Sequence, residues 1–156
     1  MRWSALILLL PVVATPAWGE DPCPLVAGSD QPVVVQLVVD VPKGATVVAG
    51  AKLEVDHPET KVGLEGEGIK VPATTISGVP SGVIATANDL SDHVRIVVST
   101  AGELPTNTPL LTLHFARCKD ASAVTAGDFS CKVIDAVAPT INKVPLTDVT
   151  CKVSMP

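Results

Sequence analysis

Four cysteines, Cys23, Cys118, Cys131 and Cys151, are the residues of this chain best suited to chemistry. A thiolate metal site would need close pairs of the C-x-x-C kind, and none occurs. An even count in an exported chain reads instead as two disulfides. Three connectivities are open. The favoured one joins Cys118 to Cys131, closing a loop of fourteen residues, and Cys23 to Cys151, tying an N-terminal tail to the last strand. Cys131–Cys151 is the alternative, because both share a strand parity with Phe129, Val133, Val149 and Val153.

Three histidines follow, His57, His93 and His114. Their spacing does not bring two onto one face, so they read as surface residues rather than metal ligands. No G-x-S-x-G or other nucleophile signature is present, and no enzymatic activity and no cofactor are expected. Asn88, Asp89 and Asp92 are the best oxygen ligands for calcium, in a polar loop Asn88–Asp92. The turn-forming habit of Asn and Asp explains the same residues without a metal. Lys52, Glu54 and Asp56 alternate along one strand as a charged stripe, a candidate interaction face whose plain reading is a solvated sheet surface.

These residues sit in a chain that opens like an export signal. Met1-Arg2 is a positive start, Ala5–Ala14 a short apolar stretch, and Ala17-Trp18-Gly19 a small-x-small cleavage site. Residues 1–19 are therefore read as a signal peptide, 20–32 as an N-terminal tail, and 33–156 as one domain. The location expected is secreted or periplasmic. Cys23 is separated from the cleavage site by Glu20-Asp21-Pro22, which argues against lipidation there.

The whole chain of 156 residues carries 11 basic and 16 acidic residues, a net charge of −5. Loss of Arg2 with the signal leaves ten against sixteen, or −6. The basic residues are scattered singly, so neither nucleic acid nor a membrane surface is expected as a partner. Both tryptophans, Trp3 and Trp18, lie in the signal, tyrosine is absent, and only Phe115 and Phe129 remain. A polysaccharide is disfavoured for want of ring faces on which sugars stack.

The apolar residues alternate with a period of two. Val33-Val35-Leu37-Val39-Val41 share one face, Val47-Ala49-Ala51-Leu53-Val55 another, and His93–Thr100 and Leu110–Ala116 repeat the pattern. Val83–Thr86, Phe129–Ile134 and Val149–Val153 are shorter strands. Residues 59–76 are weaker, broken by Gly66-Glu67-Gly68 and Pro72. Gly78–Gly82 is a turn cluster, and Lys119–Gly127 could hold a helical turn. No helix of ten residues is visible. An all-β antiparallel sandwich follows, with Leu37, Val39, Leu53, Val55, Ile96, Val98, Leu111, Leu113 and Phe115 in its core. Val34 and Val38 make the first strand apolar on both faces, which suits either a central strand or one covered by a loop.

The stretch Val47–Pro58, VVAGAKLEVDHP, resembles a strand segment of cohesin-type modules, where a small-residue–glycine pair leads into an alternating strand ending in aspartate and proline. Leu110–Phe115 carries the Leu-x-x-Leu-x-Phe spacing, and Val149–Val153 sits where such modules have their closing strand. The likeness covers most of residues 33–154. It implies a jelly-roll of about nine strands, with first and last paired, that binds another protein through a sheet face and has no enzymatic activity. The four cysteines depart from the usual cohesin. A carbohydrate-binding module of polysaccharide-degrading machinery is the alternative that the shared architecture suggests.

Overall fold

In the computed structural model, Cys23 and residues 33–42, 47–64, 71–90, 93–139 and 146–156 are described. Residues 1–19, and the tail apart from Cys23, lie outside them. Their strands are β1 (Val33–Asp40), β2 (Gly50–Asp56), β3 (Val62–Gly63), β4 (Ile76–Ser77), β5 (Val83–Asp89), β6 (His93–Thr100), β7 (Pro109–Arg117), β8 (Ser130–Val137) and β9 (Thr150–Ser154). Two single 3-10 turns, at Ala73–Thr75 and Ala126–Asp128, are the helical content of the described residues. All pairings are antiparallel.

The strands form two sheets. One runs β3-β7-β1-β9, with β4 also pairing with β7; the other runs β5-β6-β2-β8. The inner faces of both contribute to one apolar cluster. Val35, Leu37, Val39, Leu111, Leu113 and Phe115 enter from the first sheet, and Leu53, Val55, Val94, Ile96 and Val98 from the second, none more than 1% exposed. Every residue that the alternation assigns to the core is therefore buried. Burying side chains of this kind stabilises the fold by roughly 1.5–3 kcal/mol each. β1 is central, with β7 on one side and β9 on the other. That position leaves Val34 and Val38 half-buried on its outer face.

The disulfides pair differently from the favoured reading. They are Cys23–Cys118 and Cys131–Cys151, with Cα–Cα distances of 4.9 and 5.6 Å. Cys118 directly follows β7, which β1 separates from the edge strand β9, whereas Cys131 lies in β8, the edge strand of the other sheet. β8 and β9 are edge strands of opposite sheets lying against each other, and Cys131–Cys151 joins them. Closeness in sequence between Cys118 and Cys131 thus does not become closeness in space.

The loop expected over Asn88–Asp92 is also corrected. β5 continues through Asn88 and Asp89, which pair with Arg95 and Val94, and the Leu90 N–H donates to the His93 carbonyl at 2.9 Å. The strong partner strand β6 carries these two poor strand formers along, as context often does for β-propensity. In the weak stretch 59–76, β3 and β4 are two residues each, and β4 is preceded by the turn in which the Thr75 N–H donates to the Pro72 carbonyl at 2.9 Å; residues 65–70 lie outside the described residues.

Polar side chains fix the loops. Asn107 adopts φ of 59°, donates its N–H to the Val39 carbonyl at 2.7 Å, and accepts the Val41 N–H on Oδ1 at 3.2 Å. At the second 3-10 turn, Asp128 accepts the Thr125 N–H at 2.8 Å and an ion-pair hydrogen bond from Lys61 at 2.6 Å. The Lys61 ammonium, with the Thr125 donors, lowers the Asp128 carboxyl to a pKa of about 2.

Candidate interaction face

Alternation along the β5-β6-β2-β8 sheet puts a second set of side chains on its outer face. From edge to edge these are Ile84, Thr86 and Asn88 on β5; Ser99, Val97 and Arg95 on β6; Gly50, Lys52, Glu54 and Asp56 on β2; and Val137, Asp135, Lys132 and Ser130 on β8. The register slips between Lys52 and Leu53, so Ile134 and Asp135 together oppose Lys52. Such a bulge adds an unpaired residue, and Ile134 is 42% exposed.

One end of this face is ionic. Glu54 on the central strand accepts hydrogen bonds from Arg95 on β6, at 2.6 Å from Nη2 and 3.2 Å from Nε. Lys132 on β8 reaches its other oxygen at 2.9 Å, and His93 Nε2 stands 3.7 Å away. Glu54 is only 8% exposed. The hydrogen bonds from Lys132 and then Arg95 outweigh desolvation and lower its pKa to about 2. The carboxylate in turn raises that of Lys132. Asp56 accepts a hydrogen bond from Ser130 at 2.6 Å.

The stripe Lys52-Glu54-Asp56 is thus on the outer face, but its members differ. Asp56 is exposed and Lys52 half-buried. Glu54 is enclosed, so what reaches solvent at this point is cationic, with the Lys132 side chain 63% exposed. The alternation of β2 shows which way Glu54 points. It does not show its cover, which comes from strands distant in sequence.

The other end is apolar and hollow. A depression of about 310 Å³ lies over Gly50, rimmed by Lys52, Val97, Ser99, Asp135 and Val137. A Cβ on Gly50 would stand 3.1 Å from Val137 Cγ2 and 3.4 Å from the Val98 carbonyl oxygen, so glycine keeps the depression open. Lys52 and Asp135 face each other across strands, yet among the described residues no ion pair joins them. Ile84, 68% exposed, and Val97, 46% exposed, continue the apolar area toward β5.

The remaining candidates lie elsewhere. Asn88 and Asp89 end β5, with Asn88 opposite the cation Arg95; Asp92 is outside the described residues. Among the described residues no group of three His, Cys, Asp or Glu side chains is arranged to hold a metal. The histidines are dispersed. His57 packs on Phe115 with ring centroids 5.4 Å apart, His93 flanks Glu54, and His114 Nε2 shares a 2.6 Å hydrogen bond with Ser77 Oγ. That last contact lies on the outer face of the other sheet. It was invisible in the sequence because the two residues are 37 positions apart. Among the described residues no carboxylate is hydrogen-bonded to His114.

No family model, no curated protein and no solved structure matches this chain.

Proposed function

We propose that this protein is an exported, non-catalytic binding module that holds a protein partner against the outer face of its β5-β6-β2-β8 sheet. One observation carries the reading: the three large apolar side chains exposed among the described residues, Ile84, Val97 and Ile134, all belong to this sheet. Val97 and Ile84 adjoin the Gly50 depression, and charged groups of both signs surround it. An apolar centre with a polar rim is the usual anatomy of a protein-binding patch. Both phenylalanines, Phe115 and Phe129, are buried, so the face offers no ring to a sugar, which weighs against carbohydrate binding.

The fold is read as a cohesin-like jelly-roll. The pairing of β1 with β9 and the four-stranded sheet with an exposed outer face agree with that resemblance. Two disulfides fit an oxidising compartment, and with the N-terminal signal they support secretion or residence in the periplasm.

The test is capture from the native extracellular or periplasmic fraction on the immobilised mature chain. Wild type and Lys119→Glu, at an exposed loop residue, retain the same protein; Val97→Asp loses it. Retention weakens as salt rises, because the rim is charged. Capture indifferent to Val97→Asp, or tight salt-insensitive adsorption to cellulose, chitin or xylan, overturns the proposal.

A further inference from the structure

The sheet edges are protected unequally. β8 is bulged at Ile134–Asp135, and its Ala136 carbonyl accepts the Leu146 N–H at 2.9 Å. β9 carries Lys152, paired with Asp40, and is linked to β8 by a disulfide. β3 and β4 are two residues each. β5 differs from all of these. It is seven residues long, VIATAND, keeps an unbroken register with β6, and contains no lysine or proline. Among the described residues no strand lies on its other side. Edges of this kind are templates for pairing, and folded proteins ordinarily block them.

The hydrogen-bond phase identifies which groups β5 presents. The Thr100 N–H donates to the Ala49 carbonyl, continuing the β2–β6 register in which Gly50 opposes Ser99. In an antiparallel ladder, hydrogen-bonded and non-hydrogen-bonded pairs alternate. Val94, Ile96 and Val98 therefore bond toward β2, and Arg95, Val97 and Ser99 toward β5. Asn88, Thr86 and Ile84, their partners, bond inward. The backbone N–H and C=O groups of Ala85 and Ala87 consequently point away from β6, to the edge where no strand lies among the described residues.

We infer that β5 pairs with β5 of a second copy of this chain, antiparallel about a two-fold axis at Thr86, joining two four-stranded sheets into one of eight. In that register Ala85 opposes Ala87 of the second copy and the reverse, closing four backbone hydrogen bonds. Thr86 meets its own counterpart, a favourable cross-strand pair. Ile84 falls opposite Asn88. Asp89, the single charge of the strand, falls opposite Val83 of the second copy, so no like charges meet although the chain carries a net charge of −5. A copy of the strand thus fits itself in spacing, chemistry and charge, as a two-fold interface requires. This inference uses the edge and does not depend on the partner proposed for the face.

Sedimentation velocity on the mature chain, from about 1 µM to about 1 mM, reads the outcome directly. The expected result is a shift from monomer to dimer mass with concentration. Thr86→Lys, at an exposed site, puts two cations opposite each other and weakens the dimer about tenfold or more. An equimolar mixture of Thr86→Lys and Thr86→Glu restores it. Ala85→Pro removes an edge donor without removing a β5–β6 bond and also weakens it, while circular dichroism reports an unchanged fold for Thr86→Lys. A monomer at every concentration, a dimer indifferent to Thr86→Lys, or no recovery in the mixture overturns the inference, as does a monomer that instead captures an extended foreign peptide along β5.

Discussion

Replacing Cys131 and Cys151 together by alanine removes the covalent link between β8 and β9 while leaving the other disulfide in place. The two cysteines are 20 positions apart, and the chain-entropy relation for a loop of that size gives a loss of about 3.3 kcal/mol. The same relation gives about 4.7 kcal/mol for Cys23→Ala with Cys118→Ala, whose separation is 95. Urea unfolding followed by far-ultraviolet circular dichroism measures both. With a slope of about 1.5 kcal/mol/M, the first variant should lower the midpoint by about 2 M and the second by about 3 M. A larger loss for the short loop than for the long one, or a loss under about 1 kcal/mol for either, would refute the reasoning that these bridges act chiefly on the unfolded ensemble.

Peptide mapping without reduction should recover Cys23 joined to Cys118 and Cys131 joined to Cys151; a Cys118–Cys131 peptide would contradict the described pairing. Leu113→Ala, at a fully buried site, should cost about 2–5 kcal/mol, whereas Lys52→Ala on the outer face should stay within about ±0.5 kcal/mol; equal losses in thermal unfolding would show the face assignment to be wrong. Glu54 and Asp128 have folded pKa values of about 2, below the ordinary 4.5 and 3.8. Their stabilisation is therefore complete above the unfolded values and disappears as pH falls toward 2. Urea midpoints measured from pH 6 to pH 2 should drop in wild type and drop less in Glu54→Gln/Asp128→Asn; parallel curves would deny these carboxylates a role.

The strands were legible because a sandwich buries one face and solvates the other, and period-two alternation records that directly. His93–Thr100 matches β6 end to end. What remained hidden depends on which strands become neighbours. The inward parity of Cys131 and Cys151 was visible, but loop length says nothing about which strands come to lie against each other, and it favoured the wrong bridge. Asn88 and Asp89 looked like loop formers because their intrinsic preference is for turns; the hydrogen bonds offered by β6 override it. For Glu54, the direction was in the alternation of β2, while its burial came from Arg95 and Lys132, each on a different neighbouring strand. Gly50 gave no sign of a depression, since its effect depends on Val137 across the sheet.

The bridge between β8 and β9 gives the two-layered molecule a spine. On that side the layers cannot part without breaking a covalent bond. At the opposite margin the layers end in β5 on one side and the two short strands β3 and β4 on the other, and no described bridge crosses there. Thermal breathing should therefore resemble a book opening away from its binding. In the monomer, at concentrations too low for β5 to pair with a second copy, the amide protons of Ala85 and Ala87 should exchange first, those of β1 and β2 last, and reduction of Cys131–Cys151 should bring the exchange of β8 and β9 closer to that of β5.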